Sequence, residues 1–366
     1  MYDLNDSGGS KHSAFSSRGN MDFQLVFHVF YSNAEENIDK AQILSQIQQL
    51  NALFSGDVFA ANTAIPESFR SLQSKPQFRF CLATRDPLGN FTEGITRHPI
   101  ADLSLACKRE FGKRSIMHRT LGGVDPWDPE RFINVYVINR AQCPVLGEAI
   151  FPWLAQQDED GVILHYQAVG FSGAAADFYP YQKGKTLVHE LGHYFGLYHL
   201  SNDKGNCLGD DMVDDTPTQA TEYFGCPQHP AITCGHDNMF MNYMSLVEDD
   251  CMLLFTQGQV QRMKETILQY RATLPVSECQ AAFSGELTSL QWSHENRHWM
   301  IYHPDGKIWS AHLELFDPVG RLIWKGFSEN SSYVIIPNHS PFLIGGIFLI
   351  SLHNISEQKQ FLLFTP

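Results

Sequence analysis

The sequence predicts an α/β (α+β) domain, a twisted mixed sheet covered by helices, followed by a small all-β sandwich. Three observations predict it. Strand-like apolar runs interleave with helical spacings up to about residue 270. One helical segment carries a metal-ligand pattern. Beyond about residue 275 no helical spacing recurs, and short apolar runs are separated by turn residues.

The first 22 residues are polar and rich in Gly and Ser, without the apolar stretch of a signal peptide. Residues 23–31 (FQLVFHVFY) read as a strand. Ile43, Ile47, Leu50 and Phe54 follow at helical spacings of three and four. Phe78, Phe80 and Leu82 alternate as a second strand, 132–138 (FINVYVI) is a third and 162–166 (VILHY) a fourth. The motif helix is expected over about 183–197, and a further one over 257–270, where Val260, Met263, Ile267 and Tyr270 share a face. Composition changes near 274–279, so the domains are drawn at 23–275 and 280–366. In the second, 313–316, 322–324, 333–336, 347–352 and 361–364 are strands, with a turn at 317–320 (DPVG).

Residues 189–199, HELGHYFGLYH, carry the chemistry. His189 and His193 stand one helical turn apart on one face, so two imidazoles reach one metal. Glu190 points beside them, where it can hold a water. Gly196 lets the chain turn out of the helix and bring His199 round as a third ligand. Three protein ligands leave a fourth position open, the pattern of a catalytic zinc site. A helix whose histidines are ordinary core or surface residues is the weaker alternative.

The net charge is −14, from 26 basic and 40 acidic side chains. Nucleic acid and anionic membrane surfaces are therefore excluded as partners, because both demand concentrated Lys and Arg. No apolar run is long enough to span a membrane. Of the eight cysteines, Cys207, Cys226, Cys234 and Cys251 cluster in loop-like sequence after the motif, without a tight CxxC pair. That usage suggests disulfides and an oxidising environment, against eight buried thiols.

After the third histidine come 209–217 (GDDMVDDTP), 237–243 (DNMFMNY), Cys251-Met252 and 255–263 (FTQGQVQRM). With the extended histidine motif, these segments resemble the pappalysin/ulilysin branch of the metzincin metalloproteases over residues 23–272. The resemblance implies a metzincin-like catalytic domain and a secreted or cell-surface zinc endopeptidase acting on protein or peptide substrates, with a monomer expected. Glu190 is then the general base and His189, His193 and His199 the zinc ligands.

The same resemblance implies a methionine in a tight turn beneath the metal. Met241 is preferred over Met239 and Met244 because it alone keeps a tyrosine, Tyr243, two residues later, where its hydroxyl would assist the transition state. It implies disulfides Cys207–Cys234 and Cys226–Cys251, leaving Cys81, Cys107, Cys143 and Cys279 unassigned. It implies calcium at Asp211, Asp215 and Thr216, in an oxygen-rich loop suited to that ion.

Residues 146–152 (LGEAIFP) resemble the sheet edge on which a peptide adds as an antiparallel strand, with Gly147, Glu148 and Ala149 facing substrate. A buried core strand is the alternative. Asp249, in the acidic run 248–250, would make the pocket for the residue after the cut prefer Arg or Lys; a solvated loop is the alternative.

The segment 313–324 (LELFDPVGRLIW), with 345–350 (GGIFLI) and a final apolar strand, resembles sorting domains of the Bacteroidetes type IX secretion route. That implies contact with secretion machinery. The competing reading is a sugar-binding sandwich using Trp292, Trp299 and Trp309. At the level of function, the rivals are a catalytically weak binding protein or adhesin on a metzincin scaffold, and a zinc hydrolase of non-peptide substrates. The first would lose Glu190 or a histidine, and this chain keeps all four.

Overall fold

The computed structural model describes residues 21–54, 64–90, 92–201 and 205–275, and beyond them the backbone of seven strands between 290 and 364. The tail 1–20, the segment 276–289 with Cys279, and the turn 317–320 lie outside the described residues, as do the side chains of Trp292, Trp299 and Trp309.

Strand β1 (Met21–Tyr31) is the spine of a six-stranded sheet. On one side its first half pairs β2 (Phe78–Leu82) and its second half pairs β3 (Ile95–Pro99), all parallel. On the other side lies β4 (Ile133–Ile138). The sheet ends with β5 (Gly147–Ala149), antiparallel to β6 (Val162–His165), which pairs β4 in parallel. The central strands β4 and β6 are buried throughout, which explains why they read as continuous apolar runs. Strand β3 has no such run. Its sequence ITRHP exposes side chains and ends in proline, and the sequence reading places no strand there.

Helix α1 (Lys40–Phe54) starts where Asp39 accepts the Gln42 amide, and it buries Ile43, Leu50 and Phe54 against one face of the sheet. Its two buried glutamines serve the site. Gln42 Nε2 donates to the carbonyls of Tyr166 and Val169, and Gln46 Nε2 donates to that of Gly184. Gly184 adopts a left-handed φ of 66° and opens helix α2 (Lys185–Tyr194), so α1 fixes where the motif helix begins. Helix α2 buries nine of its ten residues, among them Leu187, Val188 and Leu191 in the main core. It is shorter than the expected 183–197 because Gly196, at φ 94°, breaks it.

Helix α3 (Gln257–Tyr270) begins with a capping box. Thr256 Oγ1 accepts the Gln259 amide, and the Gln259 side chain accepts the Thr256 amide. At its far end Arg271, held bidentately by Asp160, stacks its guanidinium 3.7 Å from the Tyr194 ring centroid and ties α3 to α2.

In the C-terminal region, β7 (Leu290–Ser293), β8 (His298–Tyr302) and β11 (Tyr333–Ile336) form one antiparallel sheet. Strands β9 (Trp309–Phe316), β10 (Leu322–Ser331), β12 (Ile347–His353) and β13 (Gln358–Phe364) form another, in the order β10-β9-β12-β13. The first two of these seven strands have no counterpart in the sequence reading.

Candidate active site

Helix α2 presents His189 and His193 from successive turns. The left-handed Gly196 then reverses the chain so that His199 meets them. A Cβ on Gly196 would lie 2.7 Å from Thr266, so both the conformation and the space at this turn require glycine. Arg262 of α3 donates from Nε to the Gly196 carbonyl at 2.8 Å, holding the reversal in place.

The three Nε2 atoms converge. His189 and His193 are 3.0 Å apart, His193 and His199 3.1 Å, and His189 and His199 3.2 Å. His189 Nδ1 lies 2.8 Å from the Tyr243 carbonyl and His193 Nδ1 lies 2.8 Å from the Leu197 carbonyl. A carbonyl only accepts, so each Nδ1 carries the proton. Burial, then the two neighbouring imidazoles, hold His193 well below the usual histidine range, so it is neutral and its Nε2 bears a bare lone pair. Lone pairs at this spacing repel unless a cation lies between them. Three nitrogens bound at about 2.0–2.1 Å in tetrahedral directions would stand about 3.3 Å apart. The donor set therefore fits a zinc ion, and among the described residues it is the one such group of His, Cys, Asp and Glu.

Glu190 is buried beside this cluster. Burial pushes its carboxyl up to about 8, against the pull of His199 and Arg140. It packs against the edge strand: a Cβ on Gly147 would sit 2.3 Å from Glu190 Oε1. The Ile150 amide donates to Gly161 and the His165 amide donates to Leu146. Antiparallel alternation then turns the backbone of Glu148 towards β6, and leaves the N–H and C=O groups of Gly147 and Ala149 on an edge that is open among the described residues.

Glu148 differs from the expectation. Its backbone pairs inward, and its carboxylate receives Arg109 and Arg114, with Arg140 3.8 Å away. Arg140 belongs to no sequence motif that would point to it. It is buried, donates to the carbonyls of Val145 and Ala106, and is flanked by the disulfide Cys107–Cys143.

The expectation for the turn after the motif is corrected. Asn242 donates its amide to Met239 and Ser245 donates to Asn242, closing consecutive turns at 239–242 and 242–245. Met244, not Met241, sets its sulfur against α2: a Cβ on Gly192 would lie 2.3 Å from it. Met241 lies in the preceding turn, 239–242, and its carbonyl accepts the Leu253 amide. Tyr243 offers His189 its carbonyl, while its ring packs on Phe255 in the main core, centroids 4.7 Å apart. Leu246, not a tyrosine, stands two residues after Met244. Choosing the methionine by the tyrosine that follows it shifts the register by three.

Of the expected calcium ligands, Asp211 and Thr216 lie together and Asp215 turns to α3. Asp215 spends both oxygens on α3, accepting Thr256 Oγ1 at 2.6 Å and the Gly258 amide at 2.8 Å. Thr216 Oγ1 lies 2.8 Å from Asp211 Oδ1 and equally close to the Val213 carbonyl. Burial pushes the Asp211 carboxyl up to about 7. Asp249 is buried below the start of α2. Its Oδ2 accepts the Lys183 amide at 2.7 Å, and its Oδ1 has no hydrogen-bond partner among the described residues. Burial pushes this carboxyl up to about 6. Disulfides join Cys207 to Cys234 and Cys226 to Cys251, bracing the loops between α2 and α3, and Cys81 is also disulfide-bonded.

Three converging imidazoles and a buried carboxylate, set on a helix against the edge of a mixed sheet, define a metallopeptidase of metzincin type. The family model Peptidase_M43, described as pregnancy-associated plasma protein-A, matches residues 123–268. Extracellular metalloproteases of Arthroderma benhamiae and Trichophyton verrucosum are similar. The first is 30% identical over 274 residues (72% of this chain, 78% of that protein), and the second 29% identical over 248 residues (67% and 77%). Mature mirolysin of Tannerella forsythia, solved in complex with a cleaved peptide, superposes with a TM-score of 0.64 at 36% identity, covering 71% of this chain and 97% of mirolysin. The chain belongs to the Peptidase_M43 family and is a metalloendopeptidase, for which the family implies zinc.

The contact between Gly147 and Glu190 makes one expectation testable. Gly147→Ala is expected to lower kcat/KM about 100-fold by displacing the carboxylate roughly 1 Å, with zinc content retained. Steady-state kinetics with metal analysis measure it, and unchanged kinetics would show that the contact does not position Glu190.

Proposed function

We propose that the protein is a secreted zinc endopeptidase in which His189, His193 and His199 hold the metal and Glu190 is the general base. The observation that carries this reading is the convergence of the three Nε2 atoms within 3.2 Å of one another, beside a carboxylate packed on an open sheet edge. Bound zinc supplies a Lewis acid that acidifies a water and polarises a carbonyl. Glu190 takes the proton of the attacking water as the new C–O bond forms. It passes that proton to the amine as the C–N bond breaks. Its contact with Gly147 holds it between the metal ligands and the strand that receives substrate.

A peptide adds antiparallel to β5 and bonds the open backbone groups of Gly147 and Ala149. Mirolysin's cleaved peptide supports peptides as the substrate class. The names of the extracellular relatives and the disulfides of this chain support export. A binding protein on an inactive scaffold would have no use for an intact ligand set with its base.

Glu190→Gln is expected to retain zinc and lose nearly all turnover, at least 1000-fold in kcat. Near-normal turnover in that variant would sink the general-base role.

Two finer features belong to the same reading. Asp249, with one carboxylate oxygen unpartnered, attracts Arg or Lys immediately after the cut. Asp249→Asn keeps an acceptor for the Lys183 amide and is expected to reduce that preference about tenfold in a peptide library; an unaltered profile, or an apolar one in the wild type, overturns the assignment.

The domains divide at 23–275 and 280–366, and the second directs export. The all-strand backbone of the seven strands and the sequence resemblance support this division. A chain lacking 280–366 should remain inside the producing cell, and its undiminished appearance in the medium would refute the role.

A further inference from the structure

Past the end of β5 the chain carries aromatic rings out along the surface. Phe151 lies two residues beyond Ala149, so strand alternation puts it on the same face as Gly147 and Ala149, towards α2. Its ring centroid is 5.2 Å from that of His193. From there the rings continue outwards. Phe151 stacks on Trp153 at 5.0 Å, and Tyr198 closes the group at 5.3 Å from Phe151 and 5.5 Å from Trp153. Tyr270 of α3 stands at the rim, 6.2 Å from Trp153 and 47% exposed. Arg262 braces the Tyr198 ring from below at 5.3 Å.

Phe151, Trp153 and Tyr198 are neither buried nor fully exposed. Each therefore keeps part of its apolar surface in water beside the catalytic histidines. Rings locked against one another in this way offer a rigid apolar wall that loses little freedom on binding.

We propose that Phe151, Trp153 and Tyr198 form a subsite for a large apolar side chain, aromatic by preference, on the N-terminal side of the scissile bond and within about four residues of it. This rests on the proposed use of β5 as the peptide-binding edge. The direction follows from the pairing. Gly147 touches Glu190 and so faces the reacting bond, and Phe151 lies four residues further along the strand. A peptide running antiparallel to β5 brings its N-terminal side to the strand's C-terminal end, where the wall stands. The wall is continuous with that edge, which makes the substrate its occupant.

The test uses the zinc-loaded full chain and quenched fluorescent peptides in which each position before the cut carries Phe or Ala in turn. At one position within the four before the cut, Phe is expected to exceed Ala about tenfold in kcat/KM. Trp153→Ala is expected to lower that Phe-to-Ala ratio several-fold. Trp153→Leu, which keeps an apolar side chain for folding but removes the ring, lowers it by a smaller factor, and Trp153→Phe retains most of it. The ratio, unlike overall activity, does not move with a general loss of structure. Peptides cut with no Phe preference at any of those positions, or a ratio unchanged in both Trp153→Ala and Trp153→Leu, overturn the subsite and leave the peptidase reading standing. Cleavage of no peptide by the wild type removes that reading, and the subsite with it.

Discussion

Three imidazole nitrogens held 3.0–3.2 Å apart with their lone pairs facing inward repel one another unless a cation sits between them, and much of the fold around α2 exists to hold them there. Carbonyls of Tyr243 and Leu197 fix the protons of His189 and His193 on Nδ1. Asp249 and Gln46 anchor the start of the helix, and Arg262 secures the reversal at Gly196. A buried arrangement that is electrostatically unfavourable without its ion requires such support from several elements at once.

That requirement gives the downstream signature segments a mechanical meaning. In FTQGQVQRM, Thr256 caps α3, Gly258 allows Asp215 to approach, and Gln259 bonds Asn242 of the turn below α2. Arg262 then reaches the Gly196 carbonyl, and Met263 enters the core. The acidic stretch before it is used likewise, since Asp215 accepts Thr256 Oγ1 and the Gly258 amide of α3. Helix α3 thus locks the turn, the reversal and the motif helix together, and Arg271 with Asp160 closes the assembly at the other end.

The opposite wall of the site is the edge strand. Its glycine lets Glu190 lie directly against backbone, and its alternation presents Gly147 and Ala149 outward while Glu148 is held by arginines on the other face. The strand's continuation into Phe151 and Trp153 gives the same edge an apolar extension. A single three-residue strand therefore borders Glu190 and leads on to the aromatic rings beside His193.

Elements whose apolar residues run together or recur at helical spacing were legible in the sequence: β1, β2, β4, β6, α1 and α3 follow their patterns within three residues. Strand β3 was not, because ITRHP owes its place to pairing with β1 and not to its own pattern. The histidine motif was legible because its ligands lie within eleven residues, so helical geometry and one glycine nearly suffice to bring them together. The choice among Met239, Met241 and Met244 was not, since sequence spacing cannot say which carbonyl closes a turn. For the same reason the sequence by itself determined the metal-binding helix and its carboxylate, local features set by local geometry. Only the tertiary structure decided that Met244 underlies the helix, that Tyr243 turns into the core, that Asp215 serves α3, and that Arg140 and the aromatic wall flank the cleft. Those contacts join residues far apart in the chain, and packing and backbone hydrogen bonds, which no short motif records, settle them.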